Sequence, residues 1–140
     1  MASRFLRLPL PALALAALAT LVVGGCVSGP MLAESDVPLP ESMRVVRSAD
    51  IRRSGGTVTG GRYLLAGDVR DAGESLSALV TRFEAQGWTL VRSETGLDLA
   101  TAELTKGART AAVRLERRAL DPAMSTGMLT LGPAAARAGG

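Results

Sequence analysis

Cys26 is the only cysteine of the chain, and the residues before it form a pattern typical of a processing site. Arginines at positions 4 and 7 lie near the start, an apolar run occupies residues 8–23, and Gly24 and Gly25 directly precede the cysteine. Small residues at this point allow an extended backbone to enter a peptidase cleft, and a thiol is the group that a diacylglycerol can cap through a thioether. The pattern therefore predicts a secretory signal over residues 1–25 that is cleaved directly before Cys26.

The stretch LVVGGC, residues 21–26, resembles the lipobox of bacterial lipoprotein precursors. That pattern prefers leucine three residues before the cysteine and alanine or serine two before it, whereas this chain has Val23 and Gly24 there. The resemblance implies that Val23, Gly24 and Gly25 are recognised by the signal peptidase and that Cys26 is lipidated. The acylated Cys26 would then hold the protein on the lipid bilayer, and several acyl chains make such anchoring stable.

Val27, which follows the cysteine, bears on which membrane holds the protein. In the lipoprotein family an aspartate at this position retains the protein at the inner membrane, so Val27 implies the periplasmic face of the outer membrane. The alternatives are an ordinary signal peptide with an incidental cysteine and an uncleaved anchor. Pro9 and Pro11 leave only about a dozen uninterrupted apolar residues. Because a spanning helix needs about 20 apolar residues, this length favours cleavage.

Composition argues against several classes of partner and chemistry. The whole chain has 16 lysines and arginines against 13 acidic residues, a net charge of +3. Removal of Arg4 and Arg7 with the signal leaves 14 basic and 13 acidic residues, so we expect no nucleic-acid partner. The chain has no histidine, the commonest general base and metal ligand, and no second thiol for a disulfide. We therefore expect no cofactor, no metal and no catalytic residue.

The mature chain divides into a tether, one domain and a tail. Prolines at positions 30, 38 and 40 and the lack of a helical pattern predict that residues 26–42 are the lipidated cysteine followed by an extended tether. Sixteen extended residues would reach at most roughly 50 Å from the membrane. Residues 43–132 form the single domain, and the small residues 133–140 form a flexible tail.

One helix is predicted over residues 73–86. Its apolar positions follow the spacing of one helical face, which is occupied by Leu76, Leu79, Val80 and Phe83. Asp71 followed by Glu74 suits the helix start, with Ser75 as an alternative cap. Gly87 suits the left-handed position after the last turn, and Trp88 could then pack back on Phe83.

Six strands complete the predicted fold. They lie over residues 43–51, 61–69, 88–94, 97–105, 110–118 and 126–131, separated by short turn sequences. Short connections indicate antiparallel pairing, so the predicted class is α+β, an antiparallel sheet in the order ββ-α-ββββ with one helix packed on one face. The layout of Gly67-Asp68, Phe83, Gly87-Trp88 and Lys106-Gly107 is similar to that of small envelope lipoproteins of unknown activity.

Four other features are candidate sites. The glycine-rich residues 54–61 resemble a phosphate loop, but no helix pattern follows, which favours a flexible hairpin loop. Asp68, Asp71 and Glu74 are the only cluster of carboxylates, and a role in capping and turning explains them. Tyr63, Phe83 and Trp88 suit the core better than a ligand patch. The arginines at 114, 117 and 118 suit a solvated edge strand.

These observations favour a non-enzymatic role. The expected function is that of a membrane-anchored periplasmic lipoprotein, an interaction or accessory module in envelope assembly or maintenance with an envelope protein as its partner. The alternative is a binder of a lipid or another small apolar ligand between helix and sheet. That alternative predicts a substantial apolar cavity beneath the helix residues 76, 79, 80 and 83.

Overall fold

The computed structural model describes residues 29–134. It contains six strands, one α-helix and one short 3-10 helix. Their bounds in chain order are β1 Met43–Ser54, β2 Thr57–Gly67, α1 Ala72–Ala85, β3 Thr89–Thr95, β4 Leu99–Lys106, β5 Arg109–Glu116, the 3-10 helix Pro122–Met124 and β6 Ser125–Pro133. The predicted α+β class and the order ββ-α-ββββ are confirmed.

The strands form one antiparallel sheet in the spatial order β1-β2-β6-β5-β4-β3. Helix α1 carries the chain from β2 to the far edge of the sheet, and the meander β3-β4-β5-β6 then returns to pair with β2. Strands β1 and β3 are therefore the two edges, and β5 lies between β4 and β6. This corrects the prediction that the arginines around residue 114 lie on an edge strand.

Alternating side chains give the sheet one buried and one open face, as β5 illustrates. Ala111, Val113 and Leu115 are buried, whereas Arg114 and Glu116 between and after them are exposed. The strand register places these buried residues in line with buried residues of β2, β4 and β6. An alternation of this kind is typical of an antiparallel sheet that packs on its core with one face only.

Helix α1 begins and ends close to where its sequence predicts. The Asp71 side chain accepts a hydrogen bond from the backbone N–H of Glu74 at 2.9 Å and so caps the helix. Gly87 has a φ of 85°, the left-handed conformation expected after the last turn. The N–H of Trp88 donates to the Phe83 carbonyl at 3.1 Å, and the two rings meet edge to face at 5.5 Å. The predicted packing of Trp88 on Phe83 is confirmed.

Helix α1 covers only part of the buried face, because it contacts mainly β3, β4 and β5. Residues 30–42, which we call the N-terminal segment, pack against the rest of the core. Leu32, Val37 and Leu39 of this segment are at most 6% exposed and belong to the same apolar cluster as the sheet and the helix. The expected extended tether is therefore wrong over these residues. The apolar side chains of the N-terminal segment cover the part of the buried sheet face that a single helix leaves uncovered.

The glycine-rich hairpin is also tighter than predicted. Only Gly55 and Gly56 form the turn, and both have positive φ angles, 58° and 81°. The following residues already belong to β2, and Val58 is 2% exposed in the core. The N–H of Val58 donates to the Glu34 carbonyl of the N-terminal segment at 3.0 Å. Residues that were expected to form a flexible loop are therefore paired in the sheet and also contact the N-terminal segment.

Candidate functional site

The predicted lipidation site lies outside the described residues. Cys26 and the recognition residues Val23, Gly24 and Gly25 all precede Gly29, where the description begins. In sequence only Val27 and Ser28 separate Cys26 from Gly29. The contacts of the N-terminal segment therefore decide where a lipid-anchored chain would enter the domain.

Arg82 of α1 binds the N-terminal segment at two points, Pro30 at its start and Leu39 near its end. Its guanidinium donates from Nη1 to the Leu39 carbonyl, and from Nη2 to the Pro30 carbonyl at 2.8 Å. The Leu39 N–H donates to the same Pro30 carbonyl at 2.9 Å, which closes the loop between them. Arg82 is only 6% exposed. Because a buried guanidinium is costly unless it is hydrogen-bonded, these carbonyls and Arg82 stabilise each other in one arrangement.

Gly29 lies directly against the Arg82 guanidinium. A Cβ atom added at Gly29 would overlap the Arg82 guanidinium, so a larger residue would displace the arginine or the chain. The start of the described chain is thus in contact with the last turn of α1. It leaves the domain on the helix side of the sheet.

A second contact holds the tip of the N-terminal segment. Both carboxylate oxygens of Asp36 accept hydrogen bonds from the guanidinium of Arg109, at 2.9 and 2.8 Å. The ammonium of Lys106 donates to Asp36 at 2.6 Å and to the Gln86 carbonyl at the end of α1, also at 2.6 Å. The Arg109 guanidinium lies 5.0 Å from the centre of the Trp88 ring. This Asp36 cluster joins the segment, the helix end and the β4–β5 turn.

The Asp36 cluster favours the charged forms of its members. Hydrogen bonds from Arg109, aided by Lys106, hold the pKa of Asp36 well below its usual range, against the opposing effect of partial burial. The hydrogen bond to Asp36 also raises the pKa of Arg109. A fixed, fully charged cluster suits a structural contact, because general acid–base chemistry needs a group that titrates near the working pH.

On the open face of the sheet, charged, polar and apolar side chains of neighbouring strands lie side by side. One row across it joins Arg92, Glu103, Ala112, Thr130 and Arg62. The next row places Met128, 39% exposed, among charged and small neighbours, namely Glu94, Thr101, Arg114 and Leu64. A shallow depression of about 370 Å³ lies between these rows on β3, β4, β5 and β6.

Most charges on this face are partnered at the surface. Arg92 lies 3.2 Å from Glu103, and Arg114 lies 3.4 Å from Glu116. Arg117, beyond the end of β5, donates to Asp98 at 2.8 Å. The arginines that the sequence grouped together thus serve separate contacts. They leave a central strip of small and apolar side chains around Ala112 and Met128.

The interface between helix and sheet is filled by side chains. Leu76, Leu79, Val80 and Phe83 are 1%, 2%, 9% and 0% exposed within the core. The depression that touches Leu76 and Val80 is a groove of about 140 Å³ at the helix–β3 boundary. A packed interface weighs against the ligand-binding alternative, which expected a substantial cavity under these residues.

The predicted core role of three aromatic residues is confirmed. Tyr63, Phe83 and Trp88 are all buried, so they supply core volume. Burial raises the pKa of the Tyr63 hydroxyl, an effect that the charge of Arg53 partly offsets. These aromatic rings offer no exposed platform on which a ligand could stack.

The predicted carboxylate cluster divides into separate roles. Asp71 caps α1, and Asp68 lies 3.6 Å from the exposed Arg70. Across the part of the chain that the structure describes, no three acidic, cysteine or histidine side chains gather closely enough to hold a metal ion. Within residues 29–134, no helix has the length and apolar character needed to cross a bilayer.

The contacts of the N-terminal segment were missed by sequence reasoning, although two signals were present. Leu32, Val37 and Leu39 are apolar, although the prolines of the same stretch favoured an extended tether. Arg82 lies among the apolar residues of α1, directly before Phe83, where a charge needs a partner. The partners themselves carry no local signal, since Asp36 and Arg109 are 73 residues apart.

Comparison with known proteins gives no match to a protein-family model, to a curated protein or to a solved structure. Function must therefore be inferred from the residues of this chain.

Proposed function

We propose that this protein is a membrane-anchored periplasmic lipoprotein and acts as a non-enzymatic interaction module in envelope assembly or maintenance. Acylated Cys26 would hold it on the periplasmic face of the outer membrane. The observation that carries the interaction role is the open face of the sheet, where small and apolar side chains are framed by charged ones.

The composition of the open face supports a protein partner. The central strip of small and apolar side chains contains Ala112, Thr130 and Met128. Charged side chains of β3, β4 and β5 surround it. Protein interfaces commonly have a less charged centre within a polar rim. A membrane anchor would raise the effective concentration of this face near envelope partners, so that even a weak contact could be occupied.

The anchor is tested by metabolic labelling with a palmitate analogue. The wild-type chain should incorporate the label and migrate as the cleaved form. Cys26→Ser should lose the label and accumulate as the precursor, whereas the neighbouring change Ser28→Ala should behave as wild type. Retained labelling in Cys26→Ser would contradict the anchor.

The partner face is tested by site-specific photo-crosslinking in intact cells. A crosslinking residue at Ala112 or Thr101 should give the same adduct, because both positions lie on the open face. Leu120, which is 99% exposed on a loop outside this face, is the matched control position. Met128→Glu should remove the adduct by placing a charge in the central strip. Equal capture at Leu120, or no adduct at the two open-face positions, would contradict the proposed interface.

A further inference from the structure

We propose that the helix side of the domain rests against the bilayer surface and that the open face of the sheet points away from it. This inference rests on the proposed lipidation of Cys26. An extended tether would reach roughly 50 Å from the membrane, whereas the proposed attachment is close and fixes the orientation of the domain.

Few residues separate Cys26 from the part of the chain that Arg82 binds. Four residue steps join Cys26 to Pro30, the first residue held by Arg82. At about 3.6 Å per residue, this connection spans at most roughly 14 Å. A compact domain of about 100 residues has a radius of gyration of about 13 Å, and hence a diameter of about 34 Å. The connection is too short to pass around the domain, so the side that carries Pro30 must face the membrane.

Pro30 lies on the helix side of the sheet. Pro30 is bound to Arg82 in the last turn of α1, and α1 packs on the face of the sheet opposite Ala112 and Met128. Ala78 lies four residues before Arg82, and Ala85 lies three residues after it. Both alanines are therefore on the same side of the helix as Arg82. The bilayer would therefore meet the outer surface of α1 and the start of the N-terminal segment.

The exposed surface near Pro30 combines uncharged and acidic residues. Pro30, Met31, Ala78 and Ala85 are uncharged, whereas Glu84 is exposed on the outer surface of α1. Uncharged side chains can approach the headgroups without the desolvation cost that ions would carry. Glu41 and Glu74 lie near this patch and limit how deeply it could enter the interface.

Charge alone would favour a different orientation. Arg44 and Arg47 are exposed on β1, in register with open-face residues Ala66 and Leu64 of β2. Anionic headgroups would attract these arginines toward the membrane. Pro30 lies on the opposite side of the sheet from these arginines, so the two surfaces cannot face the bilayer at once. The two orientations are therefore distinguishable.

The test measures the depth of two labelled positions. Cys26 is acylated, so an introduced cysteine would be the only free thiol. Thr81→Cys on the outer surface of α1 and Ala112→Cys on the open face would each carry a fluorophore. The lipidated proteins would be inserted from dilute detergent into preformed vesicles containing lipids with a nitroxide on the headgroup. We expect at least twofold greater quenching at position 81 than at position 112. Equal or reversed quenching would overturn the proposed orientation.

Two further variants test the cause. Arg82→Met should release the N-terminal segment, lengthen the connection between Cys26 and the first bound residue, and reduce quenching at position 81 toward that at position 112. Since Arg82→Met could also destabilise the fold, a second variant inserts eight glycine and serine residues between Ser28 and Gly29 and leaves every described contact intact. It should reduce the quenching at position 81 in the same direction. Unchanged quenching in the insertion variant would overturn the role of the short connection.

The anchor and the orientation can fail separately in this design. Each sample is first checked for palmitate labelling and for flotation with the vesicles. A chain that is neither labelled nor floating contradicts the proposed function. A labelled, floating chain with equal quenching at both positions contradicts the orientation alone.

Discussion

Helix α1 and the N-terminal segment cover neighbouring parts of the same sheet face, but they are stabilised in different ways. Within α1 the backbone groups bond to one another, and a regular apolar stripe packs on β3, β4 and β5. The N-terminal segment has one short internal bridge, between Met31 and Pro38, and a Ser35 hydroxyl that bonds within it. Its other contacts are with distant side chains and with backbone groups of the sheet. Arg82 joins the two, since it belongs to α1 and binds the segment.

This difference shows how a small domain can complete its second layer. A single helix is too narrow to cover six strands, so the remaining apolar area needs another cover. Three apolar side chains of the N-terminal segment provide it, namely Leu32, Val37 and Leu39. In sequence the N-terminal segment begins four residues after Cys26, the proposed lipid attachment. Stability of the core and geometry of the anchor are therefore expected to depend on the same residues.

The largest expected effect comes from removing the helix's main core contact. Phe83→Ala should reduce the free energy of unfolding by about 3–5 kcal/mol, because a fully buried ring leaves a cavity between α1 and the sheet. Chemical denaturation measures this loss, with the exposed Thr81→Ala as the matched helix control. A loss below about 1 kcal/mol would contradict a close-packed helix–sheet interface.

The next effect tests whether the N-terminal segment belongs to the same cooperative core. Leu39→Ala should cost about 2–4 kcal/mol, since Leu39 is 6% exposed and packs with the main cluster. The exposed Leu120→Ala should change stability by less than about 0.5 kcal/mol. If denaturation gave equal midpoints for both variants, the segment would be a peripheral attachment, and the comparison with α1 would fail.

Acid should weaken the Asp36 cluster in a defined direction. The pKa of Asp36 is lower in the folded protein than the usual unfolded value of about 3.9, so its stabilisation is complete above that value and is lost as pH falls below it. Asp36→Asn should cost about 1–2 kcal/mol at pH 7, because it removes a charged partner of Arg109 and Lys106. The difference from wild type should shrink by about 1 kcal/mol at pH 3.

Denaturation curves at pH 7 and pH 3 measure this dependence. Asp121→Asn, at an exposed loop position, is the matched control and should give similar small changes at both pH values. A cost for Asp36→Asn that did not vary with pH would show that the carboxylate charge contributes nothing to docking.

The smallest expected effect concerns the start of α1. Asp71→Ala should cost about 1 kcal/mol, because the Glu74 N–H loses its capping acceptor. Asp71→Ser keeps an oxygen at the cap and should restore most of the loss. Thermal denaturation of the two variants makes the comparison. Equal stability of the alanine and serine variants would indicate that water replaces the cap at no cost.

Local features of the fold were predictable from particular residues. The spacing of Leu76, Leu79, Val80 and Phe83, with Asp71 before it and Gly87 after it, located the helix to within one residue at each end. The turns predicted at Thr95-Gly96 and Lys106-Gly107 overlap the observed breaks between β3, β4 and β5. In each case the pattern and the contact that it produces lie within a few residues, so neighbours in sequence were enough.

The position of each strand within the sheet was not predictable in this way. Strand β5 shows the alternation of buried and exposed residues, which an edge strand and a central strand share. Only the return of β6 to pair with β2 places β5 at the interior of the sheet. Alternation reports which side of a strand is buried and carries no information about its neighbours.

The sequence by itself determined the processing signal as a hypothesis, the helix with its two ends, and the antiparallel order of the strands, because each depends on local periodicity and turn residues. Only the tertiary structure decided that residues 30–42 complete the core and where the chain leaves it. Pro30 and Arg82 are 52 residues apart, and the irregular, proline-containing segment has no period of its own. Its conformation is set by the apolar area and the charged partners that the folded sheet and helix present.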